Sequence, residues 1–444
     1  MGPDKRIERN ELKSYVNKGL FMKKGMCILL LALIAGNVQA LVTIDADDPN
    51  IQYTGRINYA DPKAPIMRWP GNYIIANFKG TSINVKFTDY NGNGIITKNG
   101  YSYNNYFYVI IDDGAPSLIS LTAGSATYTV ASGLSDTVHK IQLFRRTEGN
   151  TGLVAFEGFE LENGKSLVAP PARPSRRIEY FGDSITAGHS VQFLSGDVGE
   201  SGDTPFQDNY YTYAAVTARN LDAEYHCIAV SGIGLYVDKW WPGGNMSNYY
   251  DRELNTTTWD FSRWTPQIVV INLGQNDSWG SYTQAGAEQA YVDLTLTLRG
   301  EYPDAYFILA LGSMDATAPG SQWPTYLQNA VGELNSTYGD PKVYSLIFPY
   351  SGGAHPTVAR HAVMAAQLTE FINTSIPDPW LDNGDIDQDG NVNNADLSKL
   401  SQQWQQTGCG DCGGADLTGD GNVTIADFLI LAENWLNVTV IPGT

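Results

Sequence analysis

Positive charge is scarce in this chain: 28 lysines and arginines stand against 47 aspartates and glutamates, for a formal net charge of −19. An excess of negative charge repels nucleic acid and anionic membrane surfaces, so we expect neither as a partner. Charged residues of both signs make up only 17% of the chain, whereas apolar residues make up 43%. That balance provides for packed cores and excludes wholesale disorder.

Cysteine is also rare, with four in 444 residues. Cys409 and Cys412 form a C-x-x-C pair, but the second ligand pair that a structural zinc site needs is missing. We therefore expect a local disulfide in an oxidising compartment. Cys227 would then be unpaired and buried in a strand.

Long apolar runs are missing beyond the first 40 residues, so the mature protein should have no membrane span. The N-terminus itself has the layout of a secretory signal: Lys23 and Lys24, an apolar run over 26–35, and a small-residue cleavage site at 38–40. We interpret residues 1–40 as a leader and signal peptide, with Met22 as the start, and expect a secreted protein. The alternative is a buried N-terminal helix.

The rest of the chain divides into three parts by hydrophobic pattern. Residues 41–168 hold short alternating runs at 73–78, 82–87, 106–111 and 140–144, separated by Asn-Gly and Asp-Gly turns. This pattern predicts an all-β jelly-roll sandwich. Residues 169–377 open on a proline-rich joint and alternate buried strands (178–181, 268–273, 306–310, 342–347) with helices (285–299, 355–372). That alternation predicts an α/β domain with a parallel sheet covered on both faces.

A serine stands where the first predicted strand of the α/β domain ends. Ser184 lies in Gly182-Asp183-Ser184-Ile185, at the start of a predicted helix. Gly232 and Asn276 follow the next two strands, and His355 opens the last predicted helix. Sites in such sheets form at the carboxyl ends of strands, so these residues should meet. A serine hydroxyl needs a neighbouring base, and a tetrahedral oxyanion needs donors placed in advance.

These four blocks resemble the SGNH, or GDSL-like, hydrolases. The resemblance implies that Ser184 is the nucleophile and His355 the general base. It implies an oxyanion hole formed by the Ser184 amide, the Gly232 amide and the Asn276 side chain, with Gly234 as an alternative to Gly232. We expect Asp183 and Asp277 to brace loops. Of the other histidines, we expect His139 and His361 to be structural, His226 to lie on a strand, and His189 to be exposed.

Related enzymes often carry an aspartate three residues before the histidine, but Gly352 stands there in this chain. We favour a Ser–His dyad in which a backbone carbonyl orients the imidazole. The alternatives are an acid from another segment or a decayed enzyme.

The N-terminal part adds a set of short motifs ahead of the hydrolase blocks: Gly55-Arg56, Trp69-Pro70-Gly71, Phe78-Lys79-Gly80, Asp112-Asp113-Gly114, His139-Lys140, Arg146-Thr147-Glu148 and Gly158-Phe159. With the hydrolase blocks they resemble carbohydrate esterase family 2. The resemblance implies a serine esterase, without a catalytic cofactor, that removes O-acetyl groups from xylan or glucomannan. A catalytically silent glycan-binding protein and a lipid-directed GDSL esterase are the alternatives. Sugar rings stack on aromatic faces, and one or two of Trp240, Trp241, Trp279 and Trp323 are candidates for a substrate platform. For each of them taken singly, packing in the core is the favoured alternative.

The acidic C-terminal part, residues 378–444, contains a repeated twelve-residue loop. In both loops, oxygen-bearing residues fall at positions 1, 3, 5, 7 and 12, and glycine stands at position 6. This spacing is that of a calcium-binding EF-hand loop with aspartate at its end. The predicted ligands are Asp385, Asp387, Asp389, Asn391 and Asp396, and, 31 residues later, Asp416, Thr418, Asp420, Asn422 and Asp427.

Each loop leads into an amphipathic helix, predicted over 395–404 and 426–435. The repeat resembles a type I dockerin with structural Ca²⁺. That resemblance implies a cohesin-bearing scaffold or cell-surface protein as partner, the alternative being a calcium-stabilised tail. Thr418 should be a weaker ligand than aspartate.

Overall fold

The computed structural model describes residues 41–90, 104–194, 202–237, 240, 244–254, 256–377, 380, 384–387, 392–409, 412–418 and 420–435. The expected signal segment, residues 1–40, lies outside them. Among the described helices, none has the length and apolar character needed to cross a membrane.

The N-terminal domain is a sandwich of two antiparallel sheets, as predicted. In one sheet the order is β3-β4-β11-β6-β9, with β1 beside β11; in the other it is β12-β5-β10-β7-β8, with β2 beside β5. The strands are β1 Leu41–Ile44, β2 Ile51–Thr54, β3 Ile57–Asn58, β4 Ile66–Met67, β5 Tyr73–Gly80, β6 Ile83–Asp89, β7 Tyr106–Ile111, β8 Ser117–Ser120, β9 Gly124–Ala131, β10 Thr137–Arg145, β11 Val154–Glu162 and β12 Leu167–Val168.

The core of the sandwich follows from strict alternation along the strands. In β6, every second residue is buried, starting with Ile83. Phe87 on β6 packs against Phe107 with ring centroids 4.7 Å apart and against Phe156 at 5.7 Å, so both sheets supply rings to one core. Burying one such side chain contributes about 1.5–3 kcal/mol.

The central domain carries a five-stranded, all-parallel sheet in the order β14-β13-β15-β16-β17. Its strands are β13 Arg176–Gly182, β14 Ala223–Ala229, β15 Ile268–Asn272, β16 Tyr306–Leu311 and β17 Val343–Ile347, and its helices are α1 Ser184–Ala187, α2 Tyr213–Asn220, α3 Gln284–Glu301, α4 Trp323–Ser336 and α5 Val358–Ser375. All of β15 is buried, with Ile268 and Val270 in one apolar cluster and Val269 and Ile271 in another. Both faces are therefore covered, as the continuous apolar runs predict.

A buried ion pair joins the two domains. The guanidinium of Arg56, from the sandwich, lies 3.0 Å from the Glu179 carboxylate on β13, and neither side chain is exposed. The Tyr302 hydroxyl also donates to Glu179, at 2.7 Å. Burial alone would raise the pKa of Glu179, but the charge of Arg56 outweighs it, so the pKa of Glu179 lies below its usual value. Removing one partner of such a pair typically costs about 3–5 kcal/mol because the other charge stays buried.

The C-terminal region contains two short helices, α6 Asn394–Gln402 and α7 Ile425–Glu433, which share a small apolar core. Both end about two residues earlier than predicted. Each begins with a capping box, in which Asn393 pairs with Asp396 and Thr424 with Asp427. The predicted disulfide joins Cys409 to Cys412, and Cys227 is unpaired and buried on β14.

Candidate active site

Ser184 lies at the sharp turn from β13 into α1. Asp183 caps this one-turn helix, because its Oδ1 accepts a hydrogen bond from the Ile185 amide at 3.0 Å. Gly182 is required by packing, since a Cβ there would lie 2.1 Å from the Thr186 hydroxyl oxygen. The turn therefore fixes the Ser184 hydroxyl at the carboxyl edge of the sheet, as predicted.

His355 brings its Nε2 to 2.8 Å from the Ser184 Oγ. The prediction that His355 opens the last helix was wrong, because α5 begins at Val358 and is capped at Thr357. Pro356 explains the difference, since the residue before a proline is disfavoured in helical conformation. Burial lowers the pKa of His355 to about 3, and the neighbouring imidazoles of His189 and His361 act in the same direction. The ring is therefore neutral near pH 7 and able to accept the serine proton.

At Gly352, where related enzymes often carry an aspartate, the structure has open space. Gly352 has φ +119°, and nothing lies within 4 Å of where its Cβ would be. Within the described residues, no carboxylate forms an ion pair with His355. The Ser–His dyad stays a prediction, since no backbone carbonyl is seen to bond the second ring nitrogen in that same part of the chain.

Two of the residues predicted to donate to the oxyanion, Gly232 and Asn276, lie on the loops that follow β14 and β15. Asn276, just after β15, donates from its side chain to the Ile233 carbonyl at 2.9 Å and to Asp183 at 3.3 Å. This holds its amide beside the nucleophile turn and the 232–233 segment. Gly232 has φ +85°, a conformation suited to glycine. Gly234 is needed for a tight turn, since a Cβ there would meet the Val237 carbonyl at 1.9 Å.

Two acidic residues brace these loops, as expected. Asp277 accepts backbone hydrogen bonds from residues 235, 236 and 237 at 2.7–2.8 Å, which fixes the segment after Gly234. Asp183 is fully enclosed, and burial raises its pKa to about 7.

Sequence reasoning missed a second histidine at the site. His189 was expected to be exposed, but its side chain is only 22% exposed and hydrogen-bonds to Glu148 at 2.9 Å. Its ring centroid lies 4.6 Å from that of His355. The sequence did contain the Arg146-Thr147-Glu148 motif, but nothing in it indicated that Glu148 pairs with His189.

The other histidines lie in structural settings. His139 pairs with Asp112 at 2.6 Å, and His361 accepts a hydrogen bond from the Tyr213 amide at 3.1 Å. His226 stacks on Trp264 with centroids 3.6 Å apart.

The candidate platform tryptophans fall into two groups. Trp240 and Trp279 are 54% and 38% exposed and meet edge to face, with centroids 6.3 Å apart. A Cβ on Gly232 would lie 3.1 Å from the Trp240 Cβ, so this indole borders the predicted oxyanion donors. The prediction that Trp323 belongs to a substrate platform was wrong. Its side chain is 1% exposed and packs on Tyr282 and Tyr326, because it begins α4 facing the core. Trp241 lies outside the described residues.

The two C-terminal loops are described in part. In the first, carboxylate oxygens of Asp385, Asp387 and Asp396 lie within 4.8 Å of one another, and Asp387 Oδ1 is buried without a hydrogen-bond partner in the described chain. An orphaned buried carboxylate oxygen facing two others fits a hard cation. Asp389 and Asn391 lie outside the described residues. In the second loop, Thr418 donates to Asp416 and Asp427 at 3.1 and 3.0 Å.

A serine–histidine pair at the carboxyl edge of this five-stranded parallel sheet defines a serine hydrolase of the GDSL-like class. Residues 180–375 match the GDSL-like lipase/acylhydrolase family, residues 53–171 the carbohydrate esterase 2 N-terminal domain, and residues 383–436 the dockerin type I domain. A solved family two carbohydrate esterase from Clostridium thermocellum, in complex with cellohexaose, is 34% identical, with a TM-score of 0.66. That similarity covers 73% of this chain and 98% of that one. The chain belongs to carbohydrate esterase family 2.

Two further relatives show how the lengths compare. A cellulase/esterase, CelE, of Acetivibrio thermocellus is 36% identical over 346 residues, which cover 75% of this chain and 40% of that protein. The chain thus spans about two fifths of that relative. An acetylxylan esterase/glucomannan deacetylase of Cellvibrio japonicus is 28% identical over 350 residues, which cover 75% of this chain and 92% of that protein.

Proposed function

We propose that this protein is a secreted esterase that removes O-acetyl groups from plant polysaccharides, with xylan and glucomannan as the substrate class. The observation that carries the proposal is the 2.8 Å contact between Ser184 Oγ and His355 Nε2. The family and the names of its relatives support the substrate class.

The chemistry follows from the atoms at the sheet edge. His355 Nε2 takes the hydroxyl proton as Ser184 Oγ attacks the acetyl carbonyl, and the oxyanion forms beside Gly232 and Asn276. His355 then gives the proton to the leaving sugar oxygen, which leaves an acetyl-serine. Water attacks that ester as His355 takes its proton, the bond from the acetyl carbon to Ser184 Oγ breaks, His355 returns the proton to Oγ, and acetate departs. An acetyl group needs only a small acyl pocket, so the exposed Trp240 and Trp279 are available to stack on sugar rings.

The test is acetate release from acetylated xylan and acetylated glucomannan by the full chain and its Ser184→Ala variant. Release by the native chain that is lost in the variant supports the esterase and ranks the substrates. Asn329→Ala, an exposed change on α4, is the matched control and should behave as the native chain. No release from any of the proteins would contradict the proposal.

A second candidate is glycan binding at the same edge without turnover. It is favoured by the two exposed indoles beside the oxyanion donors, and the solved relative with cellohexaose shows that a family member can hold an oligosaccharide. Cellohexaose binding by calorimetry, retained in Ser184→Ala and weakened in a Trp240→Ala/Trp279→Ala variant, would support it. Binding that is unchanged by the loss of both indoles would contradict it.

We further propose that the C-terminal loops bind calcium and dock a cohesin on an extracellular scaffold or cell surface. Dockerin type I domains bind calcium, and the residues present fit it: Asp385, Asp387 and Asp396 converge around an orphaned oxygen. The second site would use Asp416, Thr418, Asp420, the Asn422 carbonyl and Asp427, and should bind more weakly because Thr418 is uncharged. Calcium titration by calorimetry tests this, with two unequal sites as the expected result and a single site or none as the contrary one.

A further inference from the structure

The sandwich domain reaches the active site through the segment after β10. The backbone carbonyl of Arg146 accepts from the Asn209 amide at 2.9 Å, and the Arg146 side chain lies 3.1 Å from the Asp208 carboxylate. The Glu148 amide donates to the Gln207 side chain at 3.1 Å. These contacts fix Glu148 against the loop that follows the nucleophile helix.

Glu148 forms a buried pair with His189. Its side chain is 1% exposed, and its Oε1 lies 2.9 Å from His189 Nδ1. Its second oxygen, Oε2, is buried with no hydrogen-bond partner in the described chain. The Ser231 hydroxyl also lies 3.3 Å from His189 Nδ1. Burial disfavours a charged His189 ring, but the hydrogen bond and charge of Glu148 outweigh it, and the pKa of His189 is raised.

The His189 ring in turn packs on the ring of His355, at 4.6 Å between centroids and 51° between planes. The other titratable group acting on His355 is His361 of α5, which burial keeps neutral. Two further carboxyl groups are near. The charge of Glu148 acts on Asp183 of the nucleophile turn. Asp315 lies beside Gly353, since a Cβ added to Gly353 would be 3.2 Å from Asp315 Oδ1. His189, whose pKa is raised by Glu148, is therefore the titratable group in direct ring contact with the catalytic imidazole.

We infer that Glu148 and His189 are positioning residues for the esterase: the sandwich domain supplies a buried carboxylate that holds a protonated imidazole against His355, where Gly352 leaves the usual acid position empty. The inference rests on the proposed esterase function. The His189 ring limits rotation of the His355 ring, and its charge opposes protonation of His355, so that Nε2 stays available to Ser184 at mildly acidic pH.

The test is the pH dependence of kcat/KM for acetate release from acetylated xylan, measured from pH 4 to 8 on the full chain. The variants are Glu148→Gln, His189→Gln and the double variant. Asp112→Asn is the matched control, because Asp112 forms the same kind of pair with His139 on the sandwich domain, away from Ser184. Its profile should follow that of the native chain.

Each single variant removes the positive charge beside His355, so its acid limb should move to higher pH by about one unit. At pH 4, the lower end of this range, kcat/KM of each single variant should be about half that of the native chain, because the native limb lies near pH 3 and the shifted one near pH 4. At pH 8 the variants and the native chain should agree. Because the two residues act as one unit, the double variant should match the single variants rather than add to them.

An equal loss of kcat at every pH, with no shift of the acid limb, would show a purely structural link and overturn the inference. If Glu148→Gln does not fold, His189→Gln, which keeps the interdomain contacts of Arg146 and Glu148, decides alone.

A second readout separates this inference from the proposed substrate. The rate at which a fluorophosphonate labels Ser184 depends on His355 but not on any polysaccharide. A shifted pH dependence of labelling in the variants, without acetate release by the native chain, would support the positioning role and contradict the deacetylase. Normal acetate release by the native chain, with an unshifted pH dependence of labelling in the variants, would support the deacetylase and contradict the positioning role.

Discussion

At the catalytic edge, Ser184 and His355 are 171 residues apart in sequence and 2.8 Å apart in space. In the C-terminal repeat, Asp385 and Asp396 belong to one twelve-residue loop. The first site exists only because a parallel sheet aligns the ends of distant strands, whereas the second needs little more than its own loop and helix. Damage to one should therefore leave the other working, and the following experiments test that independence.

The largest effect is expected from His355→Gln. Without a general base, acetate release should fall about 10⁴-fold or more. Calcium binding by the C-terminal loops should be unchanged, because no contact of His355 reaches that region among the described residues. Acetate release measures the catalytic site, and calorimetric calcium titration measures the C-terminal loops. A variant that also lost calcium binding would break the comparison.

Asn276→Ala should lower kcat by about 10²–10³-fold with a much smaller change in KM, as expected when an oxyanion donor is lost. The same change also removes the hydrogen bonds to Ile233 and Asp183, so thermal unfolding should be measured alongside. Asn329→Ala, at an exposed position of α4, is the control. A loss expressed in KM alone would assign Asn276 to substrate binding instead.

The pH profile should show how far burial changes His355. Since its pKa is lowered to about 3, the neutral base persists well below pH 6.5 and is lost only as the pH falls toward that lowered value. An unshifted histidine would lose about 30-fold in rate at pH 5. We expect less than a twofold loss in kcat/KM there for the native chain. An acid limb centred at or above pH 6.5 would contradict the enclosed geometry around the ring.

The smallest effect on acetate release should come from Asp396→Asn, which removes a charge from the first loop but keeps one acceptor oxygen for the Asn393 amide. Calcium affinity at that loop should fall about 10–100-fold, with acetate release within twofold of the native value. Asp427→Asn makes the matched change in the second loop. If either variant slowed acetate release substantially, the repeat and the hydrolase would not be independent.

The same contrast explains what could be predicted from sequence. The two C-terminal loops and the glycines within them are local features, so their spacing in the sequence was enough to predict them. The buried strands were predictable because continuous apolar runs such as 268–273 have few other uses in a domain of this size. The Ser184 turn and Asn276 followed from their places after such strands.

What sequence reasoning missed depended on contacts between segments far apart. Glu148 and His189 are 41 residues apart and belong to different domains, so no periodicity brings them together. Trp323 and Trp279 both stand near strand ends, and only the direction of α4 turns one ring into the core and leaves the other exposed. The start of α5 was misplaced because the effect of Pro356 on His355 was not weighed.

The buried pair of Arg56 and Glu179 has a consequence for how such a protein can be divided or recombined. A chain that began after the sandwich would keep Glu179 in the middle of its sheet without a counter-charge. Exchanging the sandwich for one without an arginine at this place would have the same result. We therefore expect the first two domains to be inherited as one unit, with modular rearrangement cutting beyond them, in the stretch that leads to the C-terminal repeat.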